Sequence, residues 1–422
     1  MAALGSVADR RAIEALRSGV PNGDAVRALG CNQPQVETRF AELLEGVAEG
    51  DGVAQGLLIA GGFGSGKSHL LEYLQQMALA QNFVASRVVI SKETPLYDPA
   101  KVFRAAVEAA HVPRRNGMAV HEIALSLRQD SKAYAELYRW ANDSDAGIAA
   151  IFPATLLLHE RLSGDPELVE SIRNFWSGDP LPIARVRDGL RQIGEAAAFS
   201  LRATKAREIT EQRFAFVSRL IQGAGYRGWA LLIDEVELMG RYSLLQRGRS
   251  YAELARWLGR IEGLQVPGLA TVAAVTDDFA AKVLYEKGDR DYVAPKLRDR
   301  GTAEFLGLAA RAEAGMRIIE RDALVLLPPS RDTLSLTYEQ LRGIHSRAHE
   351  WDPPEVPAAE LALTRTMRSH VRRWINEWDL KRLYPGAAVS TEERELRPTY
   401  EEDEALEDVP TDADETAPLE AP

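Results

Sequence analysis

The fold of this chain is decided by the stretch Gly61-Gly62-Phe63-Gly64-Ser65-Gly66-Lys67-Ser68. The stretch matches the pattern G-x-x-x-x-G-K-[ST] of phosphate-binding loops. The apolar run 57–60 precedes it as a predicted buried strand, and 69–80 follows with apolar residues at helical spacing. A strand, a glycine loop and a helix N-terminus together form an anion site, because backbone N–H groups and the positive helix end point at the ligand.

This loop predicts binding of ATP together with Mg²⁺. Lys67 is expected to neutralise the β- and γ-phosphates, and the Ser68 hydroxyl is expected to hold Mg²⁺. Glycines are required because a side chain would block the close approach of the backbone and its positive φ angles. The residues expected to bind the nucleotide are Gly61, Gly62, Phe63, Gly64, Ser65, Gly66, Lys67, Ser68 and His69.

A second motif, at 229–235, reads Trp-Ala-Leu-Leu-Ile-Asp-Glu. A continuous apolar run that ends in two carboxylates is the Walker B form of a buried parallel strand. Asp234 is expected to hold Mg²⁺ through water, and Glu235 to polarise the attacking water. The alternative is a core strand followed by a helix start, where acidic residues are favoured. The nearby glycine loop favours the catalytic interpretation.

The composition is that of a globular protein of two or three domains. The chain has 422 residues, of which 45% are hydrophobic and 27% charged. Cys31 is the one cysteine, which excludes an internal disulfide and fits a reducing compartment. Because residues 1–30 lack a signal-peptide core and no apolar run approaches a membrane span, we expect a cytoplasmic protein without membrane association.

The negative charge is concentrated at the end of the chain. The net charge is −11, but residues 400–422 contain ten Asp or Glu and no Lys or Arg, so the remainder is nearly neutral. The larger segment 391–422, which includes these residues, is predicted to be a disordered acidic tail, because it cannot bury enough apolar surface to fold. It is either a solubilising extension or an interaction or autoinhibitory segment that mimics nucleic acid.

A polar residue ends the next predicted strand after the carboxylate motif. The apolar run 269–275 leads into Thr276, followed by Asp277. AAA+ ATPases place a catalytic residue, sensor 1, at such a strand end, so Thr276 is the candidate and Asp277 a weaker one. The alternative role for Thr276 is a helix N-cap.

Arginines in the last third of the chain also occupy positions at which AAA+ ATPases place functional arginines. Arg298 and Arg300 lie where these ATPases place an arginine finger, which reaches the γ-phosphate of a neighbouring subunit and therefore implies a homo-oligomer. The alternative is a solvated basic turn, and the sequence does not separate the two arginines. Arg368 and Arg372, in a predicted late helix, are the candidates for a sensor 2 arginine of a helical lid.

The predicted fold class is α/β, a three-layer P-loop NTPase core that is AAA+-like, with a parallel sheet, a large helical insertion and a C-terminal helical lid. The insertion is inferred because 167 residues separate Lys67 from Asp234 and 112–220 carries no strand signals. The predicted strands are 57–60, 86–91, 229–234, 269–275 and 324–327. The predicted domains are a helical segment 1–50 that packs on the core, a core 51–330 with insertion 112–220, a lid 331–390 and the tail 391–422.

The chain resembles the ATP-binding BrxC/BrxD proteins of bacterial BREX phage-resistance systems, and BrxD most closely. The resemblance spans most of 10–385 and is carried by four stretches: Arg-Ala-Ile-Glu-Ala-Leu-Arg-Ser-Gly-Val-Pro at 11–21, the glycine loop extended to Leu71, Ser-Lys-Glu-Thr-Pro-Leu at 91–96 and Trp-Asp-Pro-Pro at 351–354. It implies an AAA+-like ATPase that acts beside a methyltransferase, a PglZ-type protein and, in some systems, a helicase. The acidic tail lies outside the resemblance.

Two classes of function follow from these features. The first is an oligomeric ATP-hydrolysing motor or loader that handles DNA. Arg241, Arg247 and Arg249 are the candidate DNA contacts, with solvated surface as their alternative. The second is a nucleotide-controlled scaffold that recruits partners with little hydrolysis. A small-molecule kinase is a third option, against which the insertion and the late helices argue.

Overall fold

The computed structural model describes residues 2–50, 54–355, 366–386 and 399–406. These residues contain one six-stranded sheet, made of β1 Leu57–Ala60, β2 Val84–Val89, β3 Ala110–His111, β4 Trp229–Asp234, β5 Leu269–Val275 and β6 Leu324–Val325. The strand order is β3-β2-β4-β5-β1-β6. All neighbouring pairs are parallel except β2 and β3. The prediction of an α/β fold with a mainly parallel sheet is therefore confirmed.

The helices that surround this sheet supply both covering layers. They are α1 Ala2–Ser18, α2 Gly23–Leu29, α3 Pro34–Glu49, α4 Lys67–Ala80, α5 Pro99–Glu108, α6 Ala119–Ser126, α7 Lys132–Ala141, α8 Ile151–Arg161, α9 Pro166–Ser177, α10 Ile183–Gln192, α11 Ala206–Gly223, α12 Leu244–Trp257, α13 Asp289–Arg298, α14 Ala303–Arg321, α15 Arg331–His349 and α16 Met367–Leu383. Several begin at side-chain caps, including Asp98, Ser131, Ser330 and Thr366, because a cap oxygen accepts a hydrogen bond from a free helical N–H.

The two central strands are buried along their whole lengths. Every residue of β4 and β5 is buried, since helices cover both faces of the sheet. Side chains alternate between faces: Leu232 packs with α3 and α4, whereas Leu231 and Ile233 pack with the larger cluster on the opposite side. This layering explains why both strands read as continuous apolar runs.

The long region between β3 and β4 is helical, as its sequence predicts. Helices α6 to α11 fill it, and their apolar faces join the larger core cluster through Phe152, Phe175, Trp176 and Phe216. Trp176 is fully buried and its indole N–H donates to the Thr155 hydroxyl at 3.0 Å. The helical region therefore shares one hydrophobic core with the sheet.

The first helix and the late helices α15 and α16 pack together in a third cluster. Leu16 of α1 lies among side chains of α15 and α16, including Leu341, Trp374 and Trp378. Both tryptophans are buried. Helix α1 therefore packs on the C-terminal helices, whereas α3 packs on α4 and the sheet.

Two strands differ in their bounds from the predictions: the second spans Val84–Val89 rather than 86–91, and the last spans Leu324–Val325 rather than 324–327. The second strand begins at Val84 rather than at residue 86, because Val84 and Ala85 pair with β4 and are completely buried. The last strand ends at Val325, because Leu327 forms backbone hydrogen bonds with the Gln33 side chain instead.

The prediction of a disordered acidic tail is wrong for residues 399–406. This segment lies against the core and ends in a 3₁₀ turn, Glu404–Leu406. Tyr400 and Leu406 contact the main hydrophobic cluster, and Glu402 and Asp403 form ion pairs with Arg247 and Arg241. Composition shows only how much apolar surface a segment can bury. It does not show whether the folded core offers arginines that can pair with the segment's acidic side chains, so the prediction missed these contacts. Residues 391–398 and 407–422 lie outside the described part of the chain.

Candidate functional site

The glycine loop forms a tight turn between β1 and α4. Gly64 and Gly66 adopt φ angles of +77° and +103°, which side chains disfavour. A Cβ added to Gly61 would lie 2.6 Å from the Ser65 Oγ atom, so the turn has no room for a side chain there. Ser65 Oγ is itself buried without a hydrogen-bond partner. An unpartnered hydroxyl beside a helix N-terminus fits an anionic ligand such as a phosphate.

Lys67 is held at the start of α4 by two acceptors. Its Nζ atom donates to the Gly61 carbonyl at 2.8 Å and lies 3.6 Å from Glu237 Oε1. The Lys67 side chain is 8% exposed, so its charge is directed into the site. A triphosphate would offer this ammonium a stronger partner than a neutral carbonyl.

Glu237 is a site residue that the sequence analysis did not identify. It is 6% exposed, and its Oε2 atom is buried without a hydrogen-bond partner. Burial raises the pKa of this carboxyl to about 7, against the attraction of Lys67, which lowers it. Its signal in the sequence is a second acid two residues after Glu235, within Asp-Glu-Val-Glu.

Asp234 and Glu235 stand at the carboxyl end of β4. Asp234 accepts the Glu235 backbone N–H at 3.0 Å on one oxygen and pairs with Arg87 at 3.1 Å on the other. Burial, and then the charge of Asp234, raise the pKa of Glu235. Glu235 also has a φ angle of +60°, uncommon for a residue other than glycine. Such strain is concentrated at functional sites.

Arg87 is a second site residue that the sequence analysis did not identify, although its position in the sequence is unusual. It is the one charged residue in the otherwise apolar or small-residue strand Val84–Val89, and its guanidinium bridges Asp234 at 3.1 Å and Glu72 of α4 at 3.6 Å. The bridge became evident only from the parallel pairing of β2 with β4.

Thr276 and Asp277 follow β5, which lies between β1 and β4. The carboxyl ends of the three strands meet at one edge, since Ala60 pairs with Val275 and Ile233 with Ala273. Asp277 lies beside the glycine loop, because a Cβ on Gly62 would be 3.6 Å from its Oδ2 atom. The Thr276 hydroxyl forms a hydrogen bond with Tyr400, at 2.5 Å, rather than with a helix N–H.

Arg368 lies at the glycine loop. Its guanidinium is 5.2 Å from the centre of the Phe63 ring, and its backbone N–H donates to the Gly64 carbonyl at 3.3 Å. Its positive charge also lowers the pKa of Glu235, although burial outweighs it. Arg372, one turn further along α16, is exposed to solvent. The geometry thus brings one of the two predicted lid arginines to the loop.

Arg298 and Arg300 make their contacts away from the loop. Arg298 pairs with Glu313 at 2.6 Å, and the Arg300 guanidinium lies 4.8 Å from the centre of the Phe305 ring. Within the single chain these contacts place both residues at the junction of α13 and α14.

The predicted DNA-contacting arginines have different surroundings. Arg247 is buried in α12, and its Nε–H is shared between the two carboxylate oxygens of Asp289, at 2.8 and 3.1 Å, so the suggestion that it contacts DNA is wrong. Arg241 pairs with Asp403. Arg249 is partly exposed.

A cavity of about 230 Å³ opens beside the glycine loop. Its wall includes the segments 30–33 and 326–330, together with Ser68, Thr337 and Met367. His69 joins loop and wall, because its Nε2 atom contacts the Gly30 carbonyl at 2.7 Å. The cavity is lined mainly by apolar side chains with a small number of polar groups, as ligand sites commonly are. Sequence patterns gave no signal for it, since its walls are far apart in the chain.

A glycine loop that opens a helix, with two carboxylates nearby in a mostly parallel sheet, is compatible with a nucleotide-binding core of the P-loop class. The chain belongs to the family described as BREX system ATP-binding protein BrxC/D, whose model matches residues 6–150 and 208–376. The family is one of ATP-binding proteins. No curated protein and no solved structure matches the chain. Among the described helices, none has the length and apolar character needed to cross a membrane.

Proposed function

We propose that this chain is an AAA+-like ATPase of a BREX anti-phage defence system, most similar to BrxD. The observation that carries the proposal is the meeting of three groups at one edge of the sheet. The glycine loop follows β1, Asp234 and Glu235 end β4, and Thr276 follows the strand between them. Ligands of open α/β sheets bind at the carboxyl ends of strands.

The catalytic roles follow from these positions. Lys67 would exchange its carbonyl partner for the β- and γ-phosphates, and Ser68 and Asp234 would hold Mg²⁺, which would supply positive charge to polarise the phosphate oxygens. Glu235 orients the attacking water and accepts its proton, a task that the raised pKa of its carboxyl favours. The Thr276 hydroxyl donates to the γ-phosphate or the water. Arg368 adds positive charge at the outer side of the loop.

The cavity beside the loop is the proposed site of the adenine base. Segment 30–33 offers backbone N–H and carbonyl groups, while Leu326, Met367 and Val371 offer apolar contact. Because α15 and α16 form part of this wall, residues 331–390 are proposed to act as a lid on a core at 51–330. The helical region 112–220 is proposed to be an insertion in that core.

The wider function rests on the family and on exposed arginines. We propose assembly into a homo-oligomer in which Arg298 or Arg300 reaches the site of a neighbouring subunit. The family's BREX context suggests action near DNA, beside a methyltransferase, a PglZ-type protein and a helicase. Arg241 and Arg249 remain the candidate DNA contacts of this chain.

ATP turnover in the presence and absence of duplex DNA tests the proposal. Glu235→Gln should keep ATP affinity but lower turnover by roughly 10²- to 10⁴-fold, because it removes the proposed base. Lys132→Gln, on exposed α7, is the control and should behave as wild type. A wild-type rate that stays at background under all conditions would contradict hydrolysis, and a measurable rate equal to that of Glu235→Gln would contradict the role of Glu235 as the base.

A nucleotide-controlled scaffold is the second candidate function. It is favoured by two contacts that occupy residues proposed for hydrolysis: the ion pair of Arg87 with Asp234 and the hydrogen bond of Tyr400 with Thr276. Tight ATP binding without measurable turnover, with DNA or without it, would support this function over the first.

A further inference from the structure

Residues 399–406 dock beside the hydrolysis side of the proposed nucleotide site. The Tyr400 ring meets Phe279 edge to face, with 5.7 Å between the ring centres. The Tyr400 carbonyl accepts from Lys287 Nζ at 2.9 Å, and the same ammonium donates to the Gly240 carbonyl at 2.8 Å. The segment is therefore attached to both the turn after β4 and the region after β5.

Two acidic side chains further along the segment, Glu402 and Asp403, form ion pairs with the core. Glu402 pairs with Arg247 at 2.6 Å and lies 3.9 Å from Lys287. Asp403 pairs with Arg241, and its backbone N–H donates to the Arg241 carbonyl at 3.0 Å. Arg241 and Arg247 come between β4 and β5 in the chain, whereas Lys287 follows β5. The docking is therefore directed by charge as well as by the aromatic contact.

The hydroxyl of Tyr400 occupies the hydrogen bond that Thr276 would offer a ligand. Tyr400 donates its proton to Asp278 Oδ1 at 2.9 Å, since an ionised carboxylate can only accept. The Thr276 hydroxyl, 2.5 Å away, must therefore donate its own single proton to the Tyr400 oxygen. Burial raises the pKa of Tyr400, so its hydroxyl stays protonated at neutral pH. No proton of Thr276 remains for a phosphate or a water molecule while the segment is docked.

We propose that residues 399–406 form an intramolecular latch that slows ATP turnover by engaging Thr276 through Tyr400. The inference rests on the proposed function, whose hydrolysis step uses Thr276. Release of the latch frees the Thr276 proton and exposes Arg241 and Lys287. The segment lies beyond residue 376, where the family match ends, so the latch is a feature of this chain outside the matched region.

Two truncations of the full chain test the latch. A chain that stops after residue 398 lacks the docked segment, whereas a chain that stops after Leu406 keeps it and is the matched control. The shorter chain should hydrolyse ATP at least about ten times faster than the full chain. This increase is expected if the undocked state of residues 399–406 is only a minor population in the full chain. Tyr400→Phe should also accelerate turnover, because it keeps the ring on Phe279 but frees Thr276.

A binding measurement separates the latch from hydrolysis itself. A fluorescent peptide of residues 399–406 should bind the shorter chain, and its anisotropy should fall with added salt and with a slowly hydrolysed ATP analogue. If the shorter and control chains both bind ATP and hydrolyse it at the same rate, the latch is overturned, even when that rate is close to zero. Peptide docking without any nucleotide binding would instead count against the proposed function. Absence of peptide docking would overturn the latch independently.

Discussion

At the scale of single residues, the polar groups of the candidate site are paired with other groups of the same chain. Lys67 donates a hydrogen bond to the Gly61 carbonyl and lies near the Glu237 carboxylate. Asp234 forms an ion pair with Arg87, and the Thr276 hydroxyl forms a hydrogen bond with Tyr400. In the function proposed above, a nucleotide with its metal ion would replace each of these partners. Buried charges need such partners, because an unpaired buried charge is strongly destabilising.

Glu237 should make stability depend on pH. Its carboxyl has a pKa of about 7 in the folded protein, against 4.5 ordinarily, so the folded state retains a proton that the unfolded chain loses. Stability should therefore fall as pH rises from about 4.5 to about 7. Relative to wild type, Glu237→Gln should gain up to about 3 kcal/mol in free energy of unfolding over this window.

Urea unfolding at pH 5 and pH 8, without nucleotide, measures this difference. Glu108→Gln, on the exposed side of α5, is the control and should follow wild type at both values. An unchanged difference between wild type and Glu237→Gln across the two pH values would contradict the raised pKa.

Arg368 and Arg372 form a matched pair for testing the lid arginine. Arg368→Ala should weaken ATP binding by roughly tenfold or more, because it removes a charge and a cation–π contact at the loop. Arg372→Ala, on the exposed side of the same helix, should have little effect. Titration with a fluorescent ATP analogue compares them, and equal losses would disprove the assignment of Arg368.

At the scale of elements, the third hydrophobic cluster connects α1 to α15 and α16. The tryptophans of α16 stand at its centre, and Trp378 also donates its indole N–H to the Pro354 carbonyl at 3.2 Å. Polar contacts surround it: Asp379 forms an ion pair with Arg17 of α1 at 3.3 Å and a hydrogen bond with His345 Nε2 of α15 at 3.1 Å. This packing places α16, and with it Arg368, beside the glycine loop.

Trp378→Ala should destabilise the protein by about 3–5 kcal/mol, because it leaves a large cavity in this cluster. Leu383→Ala, at the exposed end of the same helix, should cost much less. Thermal unfolding followed by circular dichroism gives the comparison. Similar losses for the two variants would show that α16 does not pack as described.

At the scale of the whole molecule, one chain supplies every proposed part of the site except a trans-acting arginine. Arg298 and Arg300 engage Glu313 and Phe305 within their own chain. In an oligomer they would have to exchange these partners for the site of a neighbour.

Mixing two inactive proteins tests this arrangement. Glu235→Gln lacks the base but keeps both arginines, whereas the double variant Arg298→Ala with Arg300→Ala has the reverse defect. Mixed oligomers should recover measurable ATP turnover, because intact arginines then face intact sites. Each variant alone is the control, and a mixture no more active than their average would argue against a trans-acting role.

The sequence by itself determined the local features of this protein. The glycine loop, the strands β1, β4 and β5 and the helix after the loop were predicted correctly, because short-range spacing and apolar periodicity encode them. Boundaries such as that of β2 were less well determined, since they depend on the neighbouring strand.

Only the tertiary structure decided which distant residues meet. The pairs Arg87–Asp234, Lys67–Glu237 and Tyr400–Thr276 join residues 124 to 170 positions apart. Such pairs depend on strand order and helix packing, which local sequence patterns do not encode. The same reason explains why composition predicted disorder for residues 399–406, whereas complementary charges on the folded core hold them in place.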